Sequence, residues 1–287
     1  MFTVLPVAGN DVSFPGSGAP LAAGETVVLS DRKQRRYLLT LVAGEQWHSH
    51  AGMLAHDELI GAVEGTARRT NRGMEIVVMR PTREDFVLKM RRGAQVVYPK
   101  DQAMIVALAD IRAGMHVVEA GTGSGALTLA LLDAVGTAGR VTSIDRRQDH
   151  QDVAAANITA WHGARPENLD LVDGDVNELL GEVPGVHRVV LDLLEPWTAV
   201  PAAATALAPG GILVAYTPTV PQVMRLHEQL DADGRWANVE TSETLVRGWD
   251  VAGLSVRPAH RMVAHTAFLT RARRVPRPQG GPPSGGR

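Results

Sequence analysis

The sequence lacks cysteine, a long apolar run and any strong excess of one charge. Without a single cysteine in 287 residues, the chain can form neither a disulfide framework nor a thiolate nucleophile nor a cysteine-ligated metal site. No apolar run approaches the roughly 20 residues that span a bilayer, and the first residues lack the charged and apolar regions of a secretory signal. A formal charge of −2 excludes a uniformly basic nucleic-acid coat. We therefore expect a globular, cytoplasmic protein.

Composition divides the chain into four segments. Residues 1–20 are rich in glycine, proline and serine, and we expect a flexible N-terminal extension there. The last twelve residues, PRPQGGPPSGGR, include eight glycines or prolines, so we expect residues 273–287 to form a disordered tail. Between these ends, the sequence predicts a small β domain over residues 21–92 and a larger domain over residues 93–272.

The two inner segments differ in their hydrophobic pattern. Residues 21–92 carry short β-like runs separated by turn residues, which predicts a small barrel or sandwich. These runs are ETVVLSD, RRYLLTLV, MEIVVMRP and DFVLKM. From about residue 93, strands alternate with helices expected from Ser124 and over Arg147 to Trp161, which indicates an α/β fold with a doubly wound, mainly parallel sheet. The predicted strands are 117–120, 141–145, 169–173, 188–192, 211–217 and 265–272.

The near-neutral total conceals a charge asymmetry. Residues 1–100 contain 13 Lys/Arg and 10 Asp/Glu, a net charge of +3. Residues 101–287 contain the other 16 Lys/Arg and 21 Asp/Glu, a net charge of −5. The basic residues of the first part occur in three clusters, and together they favour a surface that faces a polyanion. The clusters are Arg32, Lys33, Arg35 and Arg36, then Arg68, Arg69 and Arg72, and finally Lys89, Arg91 and Arg92.

A glycine-rich loop follows the first strand of the larger domain. Its residues are Glu119-Ala-Gly121-Thr-Gly123-Ser124-Gly125-Ala126-Leu127. Glycines let the backbone approach a ligand closely, and the following helix N-terminus offers free N–H groups. The spacing also satisfies the permissive dinucleotide fingerprint, and Asp145 at the next strand end suits a ribose in either case.

Two acidic residues favour S-adenosylmethionine over a dinucleotide as the ligand of this loop. Glu119 precedes the first glycine by two residues, and Asp175 ends a further strand in the sequence VDGD. The E-x-G-x-G-x-G form is typical of S-adenosylmethionine methyltransferases, with an acid near the adenine amino group. An NAD enzyme remains the alternative, as does a simple turn or capping role for Asp145 and Asp175.

The sequence Asp192-Leu-Leu-Glu-Pro196-Trp197 lies at the carboxyl end of the fourth strand, beside the expected ligand crevice. Enzymes that methylate exocyclic amines carry a D/N-P-P-aromatic turn at this place. Here three residues separate the acid from Pro196, so a ring nitrogen is the better predicted acceptor.

These motifs together closely resemble the TrmI family of tRNA (adenine-N1) methyltransferases, which act at position 58 of the T-loop. The resemblance covers about residues 21–272. The actinobacterial members of the family are closest in character, because they share the segments RRGAQVVYPKD and HSHAGMLAHDELIG. Besides the glycine loop and the Asp192 motif, it rests on Tyr98-Pro-Lys-Asp101, Ala215-Tyr216 and His265-Thr-Ala-Phe268. Ala264 replaces an expected glycine, which concerns only the local turn.

The resemblance implies a Rossmann-like class I S-adenosylmethionine methyltransferase fold with a small N-terminal β domain, a homotetrameric assembly and tRNA as partner. It places the cofactor against the glycine loop, with Asp145 on the ribose, His150 nearby and Asp175 at the adenine end. Asp192 would face both the methionine moiety and the target adenine. Tyr98 and Tyr216 would line the acceptor pocket. The alternatives are that Tyr98 packs a domain junction and that Tyr216 is a core residue.

The chemistry is consistent with these residue types. Adenine N1 has its own lone pair, so the reaction mainly requires correct distance and angle to the methyl carbon. A carboxylate that accepts from the exocyclic amine orients the ring and stabilises the developing charge, and we predict this role for Asp192. Because N1 is buried in folded tRNA, the base must be extruded, and aromatic side chains can stack on it.

We expect no metal and no membrane contact. His48, His50 and His56 lie close in sequence, but the partners of a hydrolytic metal site do not occur at an interpretable spacing. Two rival functions remain. One is a different methyltransferase, such as the isoaspartate-repair type, which leaves the basic N-terminal domain unexplained. The other is a non-catalytic RNA-binding subunit, in which the cofactor residues should have been lost.

Overall fold

The computed structural model describes residues 15–277. Most of the predicted N-terminal extension (1–14 of 1–20) and of the predicted tail (278–287 of 273–287) therefore lies outside the described residues. The chain divides into two compact units. The first, called the N-terminal unit, comprises the chain up to Met90 and Thr159–Ala164; the second, called the catalytic unit, comprises Arg91–Ile158 and the chain from Arg165 onward. The domain limits at residues 20, 92 and 272 stay predictions.

The N-terminal unit consists mainly of short antiparallel strands. A four-stranded sheet has the order β2-β1-β6-β5, and β3 pairs with β4 as a separate hairpin. The strands are β1 (Thr26–Asp31), β2 (Arg36–Thr40), β3 (Gln46–Ser49), β4 (Gly52–Ala55), β5 (Ala67–Arg69) and β6 (Glu75–Met79). Alternate side chains such as Val27, Leu29, Ile76 and Val78 are fully buried in one core, as expected when one sheet face is covered.

The expectation of a strand at DFVLKM is wrong, because these residues form most of helix α1 (Arg83–Lys89). Thr82 and Asp85 make a reciprocal capping box: the Asp85 N–H donates to Thr82 Oγ1 at 3.2 Å, and the Thr82 N–H donates to Asp85 Oδ2 at 3.1 Å. This pairing satisfies two N–H groups that a helix start leaves free. The helix buries Phe86 and Val87. Local capping therefore prevailed over the β-like composition.

The catalytic unit contains a seven-stranded sheet of order β12-β15-β11-β10-β7-β8-β9. Strands β7 to β11 are parallel, whereas β15 runs antiparallel between β11 and β12. The strands are β7 (His116–Ala120), β8 (Arg140–Asp145), β9 (Leu169–Asp173), β10 (Val186–Leu191), β11 (Leu207–Thr217), β12 (Trp236–Glu243) and β15 (Phe268–Arg274). The predicted doubly wound sheet is confirmed. A hairpin of β13 (Trp249–Ala252) and β14 (Ser255–Pro258) was not predicted.

Helices accompany these strands as expected for βαβ units. They are α2 (Pro99–Leu108), α3 (Ala126–Val135), α4 (Gln148–His162), α5 (Val176–Leu179), α6 (Val200–Ala206) and α7 (Val220–Asp233). The α3 helix begins two residues after the predicted Ser124, because Gly125 has a left-handed φ of 80° and precedes the first turn. Within residues 15–277, none of the helices combines the length and apolar content needed to cross a bilayer.

The parallel register determines where functional side chains can meet. Strand β7 pairs with β8 on one side and β10 on the other, and Ala120 lies level with Ile144 and Leu191. The three strands therefore end at one sheet edge, which is where ligands bind in open α/β sheets. The core beneath this edge is apolar, with Val118, Val189 and other side chains fully buried.

Candidate active site

The glycine loop leaves β7 in a conformation that only glycine adopts easily. Gly121, Gly123 and Gly125 have φ values of 95°, 53° and 80°. A Cβ on Gly121 would lie 2.0 Å from the carbonyl oxygen of Asp192, far inside van der Waals contact. The Asp192 N–H donates to the Ala120 carbonyl at 2.8 Å. The first glycine is thus required by the close approach of the two strand ends.

Glu119 is the second-last residue of β7, and its side chain is completely buried. Its Oε2 accepts hydrogen bonds of 2.6 Å from Thr128 and from Ser143, while Oε1 has no partner within residues 15–277. Burial raises the pKa of this carboxyl to about 8, and the negative charges of Asp192 and Asp145 add to the shift. At neutral pH the Glu119 carboxyl is therefore mostly protonated, which suits an interior position.

The remaining members of the predicted loop site contribute through the backbone and packing. Ser124 Oγ accepts from the N–H groups of Gly93 at 3.0 Å and Ala94 at 3.2 Å, so it holds the segment before α2 against the loop. Gly125 packs against α4, where a Cβ would lie 3.2 Å from Ala154. Ala126 and Leu127 are buried in the first turn of α3.

A cavity of about 470 Å³, called the cofactor cavity, opens beside this loop. Asp145 is the acid at the end of β8, and its Oδ2 accepts from the Gly123 N–H at 3.0 Å while Oδ1 accepts from the Arg147 N–H at 3.0 Å. Asp175 caps α5 by accepting from the Asn177 N–H at 2.8 Å. The wall of the cofactor cavity includes six of the predicted site residues: Gly121, Gly123, Asp145, His150, Asp175 and Asp192.

The cofactor cavity has the size and chemistry for a nucleoside-type ligand. Its volume lies in the range of pockets that bind ligands of this size. Carboxylates at Asp145 and Asp175 offer acceptors to hydroxyl and amino groups. His150 presents a buried Nε2 that has no partner within residues 15–277, and its Nδ1 lies 3.3 Å from Asp145. S-adenosylmethionine carries hydroxyl, amino and carboxylate groups that match these donors and acceptors.

A second cavity of about 470 Å³, called the acceptor cavity, lies on the other side of Asp192. Tyr98, the residue before α2, and Tyr216, near the end of β11, both line it. Tyr216 is largely buried, and burial, followed by the charges of Asp101 and Asp192, raises the pKa of its hydroxyl. The structure thus brings together all three predicted acceptor residues.

Asp192 belongs to the walls of both cavities. Within residues 15–277, its carboxylate makes no hydrogen bond, although its backbone is fixed to β7. Burial raises the pKa of this carboxyl to about 7, and Asp145 adds to the shift through its negative charge. A strongly shifted carboxyl between two cavities is typical of a functional group.

The sequence motifs contained a polar network that we did not predict. Lys100 Nζ donates to Asp101 Oδ1 at 2.8 Å, to the Thr244 carbonyl at 2.8 Å and to Thr266 Oγ1 at 2.6 Å. Thr266 Oγ1 donates in turn to Asp101 Oδ2 at 2.6 Å. In the sequence analysis, Tyr98-Pro-Lys-Asp101 and His265-Thr-Ala-Phe268 served only as evidence for the resemblance. Nothing in the sequence indicates that the charged residues at positions 100 and 101 are buried. His265 of the same motif lines the acceptor cavity.

The three histidines considered for a metal serve the N-terminal unit through ordinary contacts. His56 is buried, and its Nδ1 accepts from the Val42 N–H at 3.0 Å. His50 Nε2 lies 2.9 Å from an Arg35 nitrogen. His48 lies on β3 opposite Met53. The described part of the chain holds no group of three or more His, Asp or Glu side chains arranged to bind a metal.

The strand order, with β15 reversed between β11 and β12, and the glycine loop beside two adjoining cavities define the Rossmann-like fold of S-adenosylmethionine-dependent methyltransferases. Solved structures agree. One from Thermotoga maritima, described as a SAM-dependent O-methyltransferase, has a TM-score of 0.86 and 30% identity, covering 91% of this chain and 97% of that chain. The tRNA (m1A58) methyltransferase TrmI from Aquifex aeolicus has a TM-score of 0.80 and 28% identity, and the match covers 90% of this chain and 99% of that chain.

Sequence relatives identify the family. The family described as "tRNA methyltransferase complex GCD14 subunit" matches residues 75–266, and that described as "TrmI-like N-terminal" matches residues 19–67. The tRNA (adenine(58)-N(1))-methyltransferase TrmI of Thermus thermophilus is 40% identical over 86% of this chain and 96% of the relative. A Methanocaldococcus jannaschii TrmI named for adenines 57 and 58 is 33% identical, over 88% of this chain and 95% of the relative. The chain belongs to the GCD14/TrmI family of tRNA methyltransferases, which confirms the resemblance.

Replacing Gly121 with alanine tests the close approach at the sheet edge. We expect Gly121→Ala to lower the melting temperature and to weaken S-adenosylmethionine binding by about tenfold or more, because both overpacking and left-handed strain oppose the new Cβ. Gly114→Ala is the matched control: Gly114 has a similar φ of +85°, but no atom lies within 4 Å of its Cβ position. Calorimetry of both variants measures the difference. Equal effects would contradict the role of the Asp192 carbonyl.

Proposed function

We propose that the chain transfers a methyl group from S-adenosylmethionine to N1 of the adenine at position 58 in the T-loop of tRNA. The observation that carries this proposal is the position of Asp192, whose side chain lies on the shared wall of the cofactor and acceptor cavities. A group at this junction touches both reacting partners. Family membership supplies the reaction type, and the site supplies the residues that perform it.

The cofactor cavity holds the methyl donor through carboxylates and the loop backbone. Asp145 would accept hydrogen bonds from the ribose hydroxyls, and Asp175 would accept from the adenine amino group. His150 lies on the same wall, and its buried Nε2 has no partner among residues 15–277. When bound, S-adenosylmethionine supplies a methyl group already activated by the sulfonium charge. The protein's main task is therefore to fix the distance and angle of attack.

Asp192 orients the target adenine. Its carboxylate is free of other hydrogen bonds within residues 15–277 and can accept one from the exocyclic amine. Methylation at N1 places positive charge on the purine, and the fixed negative charge of Asp192 stabilises it as it develops. Adenine N1 needs no deprotonation, so Asp192 takes up no proton during the transfer.

The two tyrosines hold the extruded base. Tyr98 and Tyr216 present aromatic side chains to the acceptor cavity, where stacking compensates for the stacking that the base gives up in the T-loop. A tyrosine hydroxyl is protonated at neutral pH, and burial raises the pKa of Tyr216 further, so this residue adds no negative charge beside Asp192. The glycine-loop residues Glu119, Ser124, Gly125, Ala126 and Leu127 support this arrangement from behind the cofactor cavity.

Mapping the product tests the proposal directly. We expect the wild-type protein, incubated with unmodified tRNA and labelled S-adenosylmethionine, to produce a primer-extension stop at adenine 58. Asp192→Ala should lower kcat by about 10²-fold or more, the usual cost of removing a charge-stabilising group. No stop at positions 57 or 58, or full activity of Asp192→Ala, would contradict the proposal. The same map shows whether adenine 57 is modified as well.

The pH dependence of the reaction supplies the control for the role of Asp192. Burial raises the pKa of Asp192 to about 7, so the reactive carboxylate forms only as the pH rises through this value. We therefore expect kcat/KM to increase with pH below about 7. Asp192→Asn should lose this rising limb. An unchanged limb in Asp192→Asn would assign the titration to another group.

The N-terminal unit offers a basic groove for the phosphate backbone of tRNA. Two of the three predicted basic clusters come together there, around a cavity of about 230 Å³ lined by Arg32, Lys33, Arg35 and Arg69. The carboxylates on the same wall are Asp31 and Glu75, and Glu75 is shared by Arg32 at 3.2 Å and Arg69 at 3.7 Å. Four cations against two acids leave a positive surface, which supports binding to a polyanion.

Salt titration of variants tests the basic groove. We expect the combined change Arg32→Ala, Lys33→Ala and Arg69→Ala to weaken tRNA binding and to reduce the slope of log affinity against log salt by about one for each phosphate that is no longer bound. Arg112→Ala is the control, because Arg112 pairs with Asp110 in the catalytic unit and does not line the groove. A slope unchanged in the triple variant would exclude these residues from binding the tRNA backbone.

We also propose that the chain forms a homotetramer in the cytoplasm. The supporting observation is the β13–β14 hairpin, where Val251 pairs with Val256 and Trp249 pairs with Pro258, so these four side chains share one face. Trp249, Val251 and Val256 are more than half exposed, and Leu254 at the turn is fully exposed. Contiguous exposed apolar side chains are typical of a surface that another chain covers.

Light scattering tests the assembly. We expect the wild type to have four times the mass of the 30.7 kDa chain and Val251→Lys to dissociate, since a buried charge opposes association. Arg257→Ala, on the opposite face of the hairpin beside Asp250, should leave the mass unchanged. A wild-type monomer, or a tetrameric Val251→Lys variant, would contradict this interface.

A further inference from the structure

His265 is held between two groups that can only accept hydrogen bonds. Its Nδ1 lies 2.7 Å from Glu243 Oε1, and its Nε2 lies 2.8 Å from the carbonyl oxygen of Pro218. A carboxylate and a carbonyl provide no hydrogen, so both ring nitrogens must carry one to satisfy both partners. A neutral imidazole has a single N–H and can satisfy only one of them. The geometry therefore selects the imidazolium form.

His265 connects the ends of three strands beside the acceptor cavity. His265 precedes β15, Pro218 follows β11, and Glu243 ends β12. Both His265 and Pro218 line the acceptor cavity with the predicted base-binding residues. The ring also packs against Phe268, with centroids 4.9 Å apart. Two hydrogen bonds and one ring interaction thus hold the rim of the cavity to the sheet.

The neighbouring polar network reinforces the same connection. Thr244 and Thr266, the next residues after Glu243 and His265, both contact Lys100 Nζ. The charged groups that face His265 are Glu243 from β12 and Lys100 from α2, and the positive charge of Lys100 opposes that of the ring. Lys100 is itself neutralised by Asp101 at 2.8 Å, so the attraction of Glu243 prevails at the imidazole.

We infer that His265 is a positioning residue: as an imidazolium it joins Pro218 to Glu243 and keeps the wall of the acceptor cavity in the shape that receives the target adenine. This inference rests on the proposed function, because it concerns the substrate side of that site. His265 needs no contact with the reacting atoms for this role. Its effect is expected on the binding and placement of the tRNA, with little effect on S-adenosylmethionine.

The protonation requirement gives the role a pH signature. The Pro218 carbonyl, and then Glu243, raise the pKa of His265 above the ordinary histidine value. A raised pKa means that the imidazolium, with both of its hydrogen bonds, persists below that pKa and is lost as the pH rises through it. Activity should therefore fall as the pH rises through this raised pKa, opposite in direction to the rise expected from Asp192. The two groups together predict a bell-shaped profile.

Three variants separate positioning from a merely structural role. His265→Gln removes the cation, Glu243→Gln keeps the size of its partner but removes the charge, and His227→Gln is the control. His227 is a histidine of α7 that bonds Thr241 instead of the cavity rim. We expect His265→Gln to raise the KM for tRNA by about tenfold, because the cavity wall loses a charge-assisted hydrogen bond that holds it in shape, and to abolish the falling limb of the pH profile. The dissociation constant of S-adenosylmethionine should stay within about twofold.

Histidine ring spectra supply a readout that does not depend on activity. In ¹³C-histidine-labelled full-length protein, the signal absent from His265→Gln identifies the residue, and its titration should lie above the ordinary pKa of about 6.5. Glu243→Gln should shift this titration to lower pH, and His227→Gln should not. If His265→Gln is poorly folded, Glu243→Gln supplies the assignment instead, because it retains the histidine and its spectrum should differ from the wild type in the titration of one ring signal; no shifted titration in Glu243→Gln would contradict the inference.

The outcomes are distinct from those that test the overall reaction. If the wild type methylates tRNA but the titration of His265 does not lie above the ordinary pKa of about 6.5, or if His265→Gln has wild-type KM and an unchanged falling limb, the inference is wrong and the proposed function stands. If the wild type methylates no tRNA, the proposed function fails. A raised KM in His265→Gln with the limb removed, and no change in His227→Gln, supports the inference.

Discussion

The site depends on the close approach of the ends of β7 and β10. The backbone of Asp192 passes so close to Gly121 that a side chain at position 121 would overlap its carbonyl oxygen, while the Asp192 N–H is bonded to the last residue of β7. This approach fixes the glycine loop and the backbone of Asp192 relative to each other. Side-chain flexibility therefore has little influence on where the two cavities meet.

A second constraint is the concentration of carboxyl groups behind these strand ends. Glu119, Asp145 and Asp192 lie at three neighbouring strand ends. Burial raises the pKa of Glu119 and of Asp192, and the negative charge of Asp145 adds to both shifts. The protein resolves this differently at each position: hydrogen bonds from Gly123 and Arg147 satisfy Asp145, burial favours the protonated form of Glu119, and Asp192 titrates near neutrality. The sulfonium of S-adenosylmethionine brings a positive charge, which such a group of acids favours.

Much of this architecture could be predicted from the sequence because its signals are local. Apolar runs marked β7 to β11, and the glycine spacing marked the loop, since each depends on residues close in the chain. The helix at DFVLKM was missed because the deciding interaction, between Thr82 and Asp85, lies partly outside that run. The Lys100 and His265 hydrogen bonds could not be predicted either: Thr244 is 144 residues from Lys100, and no spacing rule links residues so distant.

The candidate site was predicted in part for the same reason. Strand ends converge in any parallel sheet, so Asp145, Asp175 and Asp192 could be expected at one edge. Which atoms face a ligand could not be expected, because that depends on packing. Ser124, for example, directs its hydroxyl to the N–H groups of Gly93 and Ala94. A residue of the loop motif thus anchors the segment that precedes Tyr98.

The wall that the two cavities share has a thermodynamic consequence. Gln95, Asp192, Leu193 and Leu194 belong to both linings, so either ligand that shifts these residues changes the other ligand's site. Such coupling is reciprocal by linkage: whatever factor the methyl donor contributes to tRNA affinity, tRNA contributes to the affinity of the methyl donor. A ligand that moves these four residues would therefore change the affinities of both cavities by the same factor.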